Sequence, residues 1–146
     1  MNAVPVTIIL IEDDAGHARL IEKNVRRAGM NNMILPFTDG TSALEYLFGR
    51  DSRGHRHTDT ALLVLLDLNL PDMSGLDILR RIKVDEALRR VLVVVLTTTD
   101  DKVEIQRCYD LGCNACITKP VDHESFASTV RQLGLFLAVM QVPENT

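Results

Sequence analysis

Five short apolar runs, separated by longer stretches of helical period, limit what this chain can fold into more than any other feature. The runs are residues 7–11 (TIILI), 33–37 (MILPF), 61–66 (ALLVLL), 91–96 (VLVVVL) and the weaker 115–118 (ACIT). Four of the five are apolar at nearly every position, not at every second one. Strands of that kind are buried on both faces, as in a parallel sheet covered by helices. Pro36 withholds a ladder donor, so the second run belongs at a sheet edge.

Between the runs, the spacing predicts five helices. The first, about 15–28, carries Ala18, Ile21, Val25 and Ala28 on one stripe and stops at Gly29. The second, about 42–48, opens on Ser42-x-x-Glu45, read as a capping box. The third follows Ser74 and Asp77 and buries Ile78, Leu79 and Ile82. The fourth, about 101–111, has a thin apolar face and ends before Gly112. The fifth follows Pro120, is capped by Asp122, and aligns Phe126, Val130, Leu133, Leu137 and Met140; Gly134 inside it costs ~1 kcal/mol relative to Ala. This alternation predicts an α/β fold, a doubly wound (βα)5 unit with right-handed crossovers around a five-stranded parallel sheet. Residues 49–60 (GRDSRGHRHTDT) read as an exposed polar loop before the third strand.

Composition narrows the setting. At 146 residues the chain fits one domain, and a domain of that size removes roughly two-thirds of its unfolded surface from water without a metal or disulfide staple. Sixteen basic against twenty acidic residues give a net charge of −4, which argues against a surface that coats nucleic acid. No apolar run approaches the roughly 20 residues of a membrane span, and the start shows no secretory pattern. Three cysteines cannot all pair with one another, so a reduced, cytoplasmic setting is expected.

In open parallel sheets, ligands bind beyond the carboxyl ends of the strands, where the strand order reverses. The residues that follow the runs are Glu12, Asp13 and Asp14, then Asp67, then Thr97, Thr98 and Thr99, then Lys119 and Pro120. If the strand order is 2-1-3-4-5, the first and third strands are neighbours and their acids converge. Helix capping accounts for one acid at such a junction, not for three facing a fourth. Clustered carboxylates repel unless a cation joins them, and an all-oxygen site with water still attached suits Mg²⁺ or Mn²⁺. A carboxylate on the metal, a Thr97 hydroxyl and the Lys119 ammonium make a receptacle for a phosphoryl group, with Asp67 as the nucleophile.

Taken together, these residues resemble the receiver domain of two-component response regulators, whose sheet has the flavodoxin-like order 2-1-3-4-5. The matching pieces are Ile11-Glu12-Asp13-Asp14, the segment from Leu66-Asp67-Leu68-Asn69 through Leu70-Pro71-Asp72-Met73-Ser74-Gly75, Leu96-Thr97 and Thr118-Lys119-Pro120. The resemblance spans about residues 7–132. It implies that Asp67 accepts a phosphoryl group from the phosphohistidine of a sensor histidine kinase. It also implies that Asp13 and Asp67 bind Mg²⁺ directly, that Glu12 does so through water, and that Asn69 offers its backbone carbonyl. Thr97 and Lys119 would hold phosphoryl oxygens, the Lys119–Pro120 bond would be cis, and Pro71 and Gly75 would shape the loop beside the site. Asp14, one place past the acidic pair, is expected to cap a helix.

Two positions depart from the family pattern. Thr98 stands where a small residue is usual in the family and would narrow access to the phosphoryl group. Cys116 stands where the family has the Tyr or Phe whose inward swing reports phosphorylation, so the loop after the fourth strand must carry more of the signal. Cys113-x-x-Cys116 has no second ligand pair and reads as structural, with Cys108 and Cys116 as small buried apolar residues. His55-x-His57 reads as a solvated loop tip, and His17 as a surface or rim residue.

The expected organisation is a lead over residues 1–6, a receiver over 7–134 and an apolar extension over 135–146. In the extension, Leu135, Phe136, Val139 and Val142 form a second apolar set, read as a homodimer contact. With little chain left for an output domain, a stand-alone regulator is expected, with no direct nucleic-acid or membrane contact. Within the family the chain is similar to regulators paired with phytochrome-type kinases; a chemotaxis-type regulator that binds a motor or kinase is the nearest alternative. An aspartate-nucleophile phosphatase would need a second Asp two residues after Asp67, where this chain has Asn69, so no enzymatic turnover beyond slow self-dephosphorylation is expected.

Overall fold

The computed structural model describes residues 6–49 and 61–140, with side chains described as far as residue 133. Among the described residues, five strands alternate with five helices: β1 (Val6–Ile11), α1 (Ala15–Arg27), β2 (Ile34–Phe37), α2 (Gly40–Phe48), β3 (Ala61–Asp67), α3 (Gly75–Val84), β4 (Leu92–Thr97), α4 (Lys102–Asp110), β5 (Ala115–Thr118) and α5 (His123–Met140). These five strands pair in parallel, in the sheet order β2-β1-β3-β4-β5. This is the expected doubly wound α/β fold, with Pro36 on the edge strand β2.

The unbroken apolar runs are explained by two cores, one on each face of the sheet. Ile9, Ile11, Leu62, Val64, Leu66, Val93 and Val95 face one side and meet Leu44, Leu47, Ile78, Leu79 and Ile82 from α2 and α3. Ile8, Leu10, Leu63, Leu65, Val94 and Leu96 face the other side, against Ile21 and Val25 of α1 and Phe126 and Leu133 of α5. Each such side chain, taken fully from water, contributes about 1.5–3 kcal/mol. The strand bundle is therefore rigid, and its carboxyl ends are held in fixed relative positions.

Several expectations are corrected in detail. The Ser42 capping box does not form. Instead α2 begins at Gly40, and the Asp39 carboxylate accepts from Ser42 N at 2.7 Å. An aspartate just ahead of the helix reaches the same orphan amide and so moves the start upstream. Asp67 and Thr97 end β3 and β4 rather than following them, because both still pair within the sheet: Asp67 with Leu96, and Thr97 with Thr118. Cys116 is half-buried, whereas Cys108 and Cys113 are buried. The thin face of α4 is observed as expected, with Cys108 its one fully buried residue. The loop at 50–60 with His55 and His57, the side chains of Leu135, Phe136, Leu137, Val139 and Met140, and Val142 lie outside the described residues.

Candidate functional site

Glu12 continues the β1 ladder by donating its backbone N–H to Phe37 O at 3.0 Å, and its side chain turns inward to 2% exposure. The chain then turns into α1 under Asp14, whose carboxylate accepts from His17 N at 2.9 Å. That hydrogen bond holds the Asp14 carboxyl below its ordinary range. Asp14 therefore spends its carboxylate on the helix, while Asp13 beside it projects into solvent.

Asp67, 4% exposed, sits on the neighbouring central strand. Its Oδ1 accepts from Asn69 N at 3.2 Å. Gly75, at the start of α3, approaches this strand end more closely than any other residue type could. A Cβ there would lie 2.5 Å from Asp67 O and 2.7 Å from Leu68 Cα, and Gly75 N donates to Leu68 O at 2.9 Å. Glycine is needed at 75 to let the helix and strand meet beside the acid.

Thr97, 1% exposed, accepts at Oγ1 from Thr99 N at 3.1 Å, which leaves its O–H as the remaining donor. Just after β5, Lys119 N donates to Thr97 O at 2.7 Å, and the Lys119–Pro120 peptide is cis. The Lys119 ammonium donates to Glu12 Oε1 and lies 3.4 Å from Asp67 Oδ2. His17 stands at the rim, 3.9 Å from Glu12 Oε1, and with Leu20, Thr98, Lys119 and Pro120 it lines a largely apolar groove of about 300 Å³.

Glu12, Asp13 and Asp67 each present a carboxylate oxygen, all within 4.8 Å of one another; among the described residues this is the one such cluster of metal-ligating side chains. Among the described residues, three ionised carboxylates against the Lys119 ammonium leave an excess of two negative charges, in a pocket where Glu12 and Asp67 are buried. A hard divalent ion cancels that excess, and all-oxygen donors with one solvent-facing ligand, Asp13, match what such an ion accepts. The residues present fit a divalent cation.

Sequence reasoning missed three contacts. Asn24, 6% exposed, donates Nδ2 to Val121 O at 2.7 Å and ties α1 to the segment after Pro120; its signal was a polar residue on an otherwise apolar stripe. Lys83 donates to Val91 O at 2.6 Å and to Asn114 Oδ1 at 3.2 Å, and burial pushes its ammonium below the usual range. Asp72 reaches α2, as described below. The thiols of Cys113 and Cys116 are pushed up to about 12 and about 11, mainly by burial, so they stay protonated.

An open parallel sheet with three acids, a buried threonine and a lysine at its switch point defines a class of α/β domain suited to cation-assisted handling of an anionic group. Within that class, the chain belongs to the response regulator receiver domain family, whose model matches residues 8–131. It is 68% identical to a response regulator receiver domain from Rhodospirillum rubrum of known crystal structure (TM-score 0.75, 94% of this chain and 97% of that one). It is 32% identical to the bacteriophytochrome response regulator RtBRR (TM-score 0.77, 92% and 79%). A curated relative, the probable methanogenesis regulatory protein FilR2 of Methanothrix harundinacea, is 36% identical over 88% of this chain and 81% of its own. The chain is thus a response regulator receiver of the two-component type.

Proposed function

We propose that this receiver accepts a phosphoryl group on Asp67 from the phosphohistidine of a sensor kinase and passes the signal on by altered protein contacts, as a stand-alone regulator in the cytoplasm. The observation that carries the reading is the convergence of Glu12, Asp13 and Asp67 around one point, with Lys119 3.4 Å from Asp67 Oδ2.

In this reading a carboxylate oxygen of Asp67 forms a bond to phosphorus as the phosphorus–nitrogen bond to the donor imidazole breaks. Lys119 and the free O–H of Thr97 stabilise the transferred oxygens, and catalysis consists of positioning and charge neutralisation. Asp13, Asp67 and the Asn69 backbone carbonyl would hold Mg²⁺ or Mn²⁺ directly, and Glu12 through water; when bound, the ion neutralises charge on the pocket and on the phosphoryl group. Thr98 borders the groove through which the donor would enter. With Cys116 at the usual aromatic position, rearrangement of the loop after β4 carries the output. The only turnover is slow hydrolysis of the acyl phosphate, since exposed Asn69 supplies no acid–base carboxylate.

The similarity to RtBRR supports a phytochrome-type kinase as the donor. FilR2, at 36% identity against 32% for RtBRR, is named for a different process, so the choice rests with phosphotransfer kinetics from purified kinases. The apolar set Leu135, Phe136, Val139 and Val142 supports a homodimer through the 135–146 extension beyond the receiver. Sedimentation of the full chain against a truncation at 134 tests it; two monomers contradict it. Net charge −4 supports an output directed at proteins and not at nucleic acid. Incubation with acetyl phosphate and Mg²⁺ tests the core reading. One phosphoryl group per chain is expected. Multiple turnovers would indicate a phosphatase, and no label a phosphorylation-independent adaptor.

A further inference from the structure

We infer that Asp72 is a positioning residue for the metal pocket: it anchors the loop that carries Asn69 to the start of α2, and so tunes affinity for the divalent ion. The inference rests on the reading above, in which the Asn69 backbone completes the ligand set.

The segment between β3 and α3 is tied at its base. Asn69 N donates to Asp67 Oδ1 at 3.2 Å, Gly75 N donates to Leu68 O at 2.9 Å, and Asn69 bridges to Ser74 in antiparallel sense. Its apex is tied to a different element. The Asp72 carboxylate accepts from Gly40 N at 2.9 Å, Thr41 N at 2.8 Å and Thr41 Oγ1 at 2.5 Å. Met73 seats on the same spot; a Cβ at Gly40 would lie 2.5 Å from its Cγ and 2.6 Å from its Sδ. These donors hold the Asp72 carboxyl at about 2, so it is ionised at any working pH.

Helix α2 does not need Asp72 for its own cap, because Asp39 supplies one by accepting from Ser42 N. The second carboxylate comes from 31 and 32 residues away in sequence, so it adds a polar tie between loop and helix to the packing of Leu70 and Met73 on the core. α2 is in turn fixed to the core through Ala43, Leu44 and Leu47. The apex is thus braced against a buried element, and the backbone next to Asp67 inherits that rigidity. Groups that orient metal ligands without touching the ion commonly change affinity about 10- to 100-fold when lost.

Calorimetric titration of Mg²⁺ into the full chain, paired with thermal melts, separates loop positioning from helix capping. Asp72→Ala is expected to weaken Mg²⁺ binding about tenfold. Asp39→Ala, which removes a cap at the same helix end, is expected to lower the melting temperature while leaving the Mg²⁺ dissociation constant at the wild-type value. Asp72→Asn, which keeps one acceptor oxygen and guards against a misfolded alanine variant, should fall between wild type and Asp72→Ala. An unchanged dissociation constant in both Asp72 variants, or an equal shift in Asp39→Ala, overturns the inference. Wild type that binds no Mg²⁺ overturns the metal reading and this inference with it, whereas wild-type binding with indifferent Asp72 variants overturns this inference alone.

Discussion

The Lys119 ammonium lies 3.4 Å from Asp67 Oδ2, although Asp67 ends β3 and Lys119 follows β5, on the far side of β4. The same ammonium donates to Glu12, so one cation serves a pocket of three acids. The balance is incomplete: among the described residues, the pocket holds more negative charge than Lys119 neutralises.

Replacing Asp67 with Asn should therefore raise the melting temperature of the metal-free protein. The amide keeps an acceptor for Asn69 N and removes one of the repelling charges. A gain of about 1 kcal/mol corresponds to roughly 2–4 °C for a domain of this size. Calorimetric melts in chelator check it; an equal or lower melting point would mean that the acids do not repel as described.

Asn24→Ala should destabilise by about 1–3 kcal/mol, because it leaves the buried Val121 carbonyl without its donor. Urea unfolding measures it. The loss should also loosen the α1 contact with the segment after Pro120, which borders the groove beside the site.

Gly75→Ala should cost about 1–3 kcal/mol as well, for a different reason: the new methyl meets backbone, not a flexible side-chain end. Since that backbone belongs to Asp67 and Leu68, Mg²⁺ should stabilise the variant less than it stabilises wild type, as read from melts over a Mg²⁺ series.

Two cysteines contribute to the alkaline loss of stability. Their folded-state thiols titrate near 12 (Cys113) and 11 (Cys116), above the ordinary 9.0. Above pH 9 the unfolded chain releases thiol protons that the folded chain retains. The stabilisation is therefore fully present below about 9 and is lost as the pH rises towards 12. The decline in unfolding free energy over that window should be shallower in a Cys113→Ser, Cys116→Ser variant. Native wild type should also be alkylated by iodoacetamide at pH 8 at least about tenfold more slowly than the unfolded chain.

The helix-covered parallel sheet and the site's acids were legible in the sequence because both follow from burial, whereas the strand order came from the resemblance to receiver domains. Runs apolar at every position must be covered on two faces, and polar groups can then collect only where the runs end. The start of α2 was less legible, since Asp39 and Ser42 compete for the same helix end and local pattern does not rank them. Contacts such as Asn24 to Val121 and Asp72 to Thr41 join residues far apart in sequence, and they depend on loop paths that no local period encodes. Cys116 was expected to be buried and is half-buried, because β5 is an edge strand covered on that side by the sparse apolar face of α4.

The most direct test is to locate the acyl phosphate after treatment with acetyl phosphate and Mg²⁺. Borohydride reduces an aspartyl phosphate to homoserine, and peptide mass spectrometry then reads the position. The account predicts homoserine at 67 in wild type and no modified residue in Asp67→Asn. Homoserine at another aspartate, or an Asp67→Asn variant labelled as well as wild type, would contradict it.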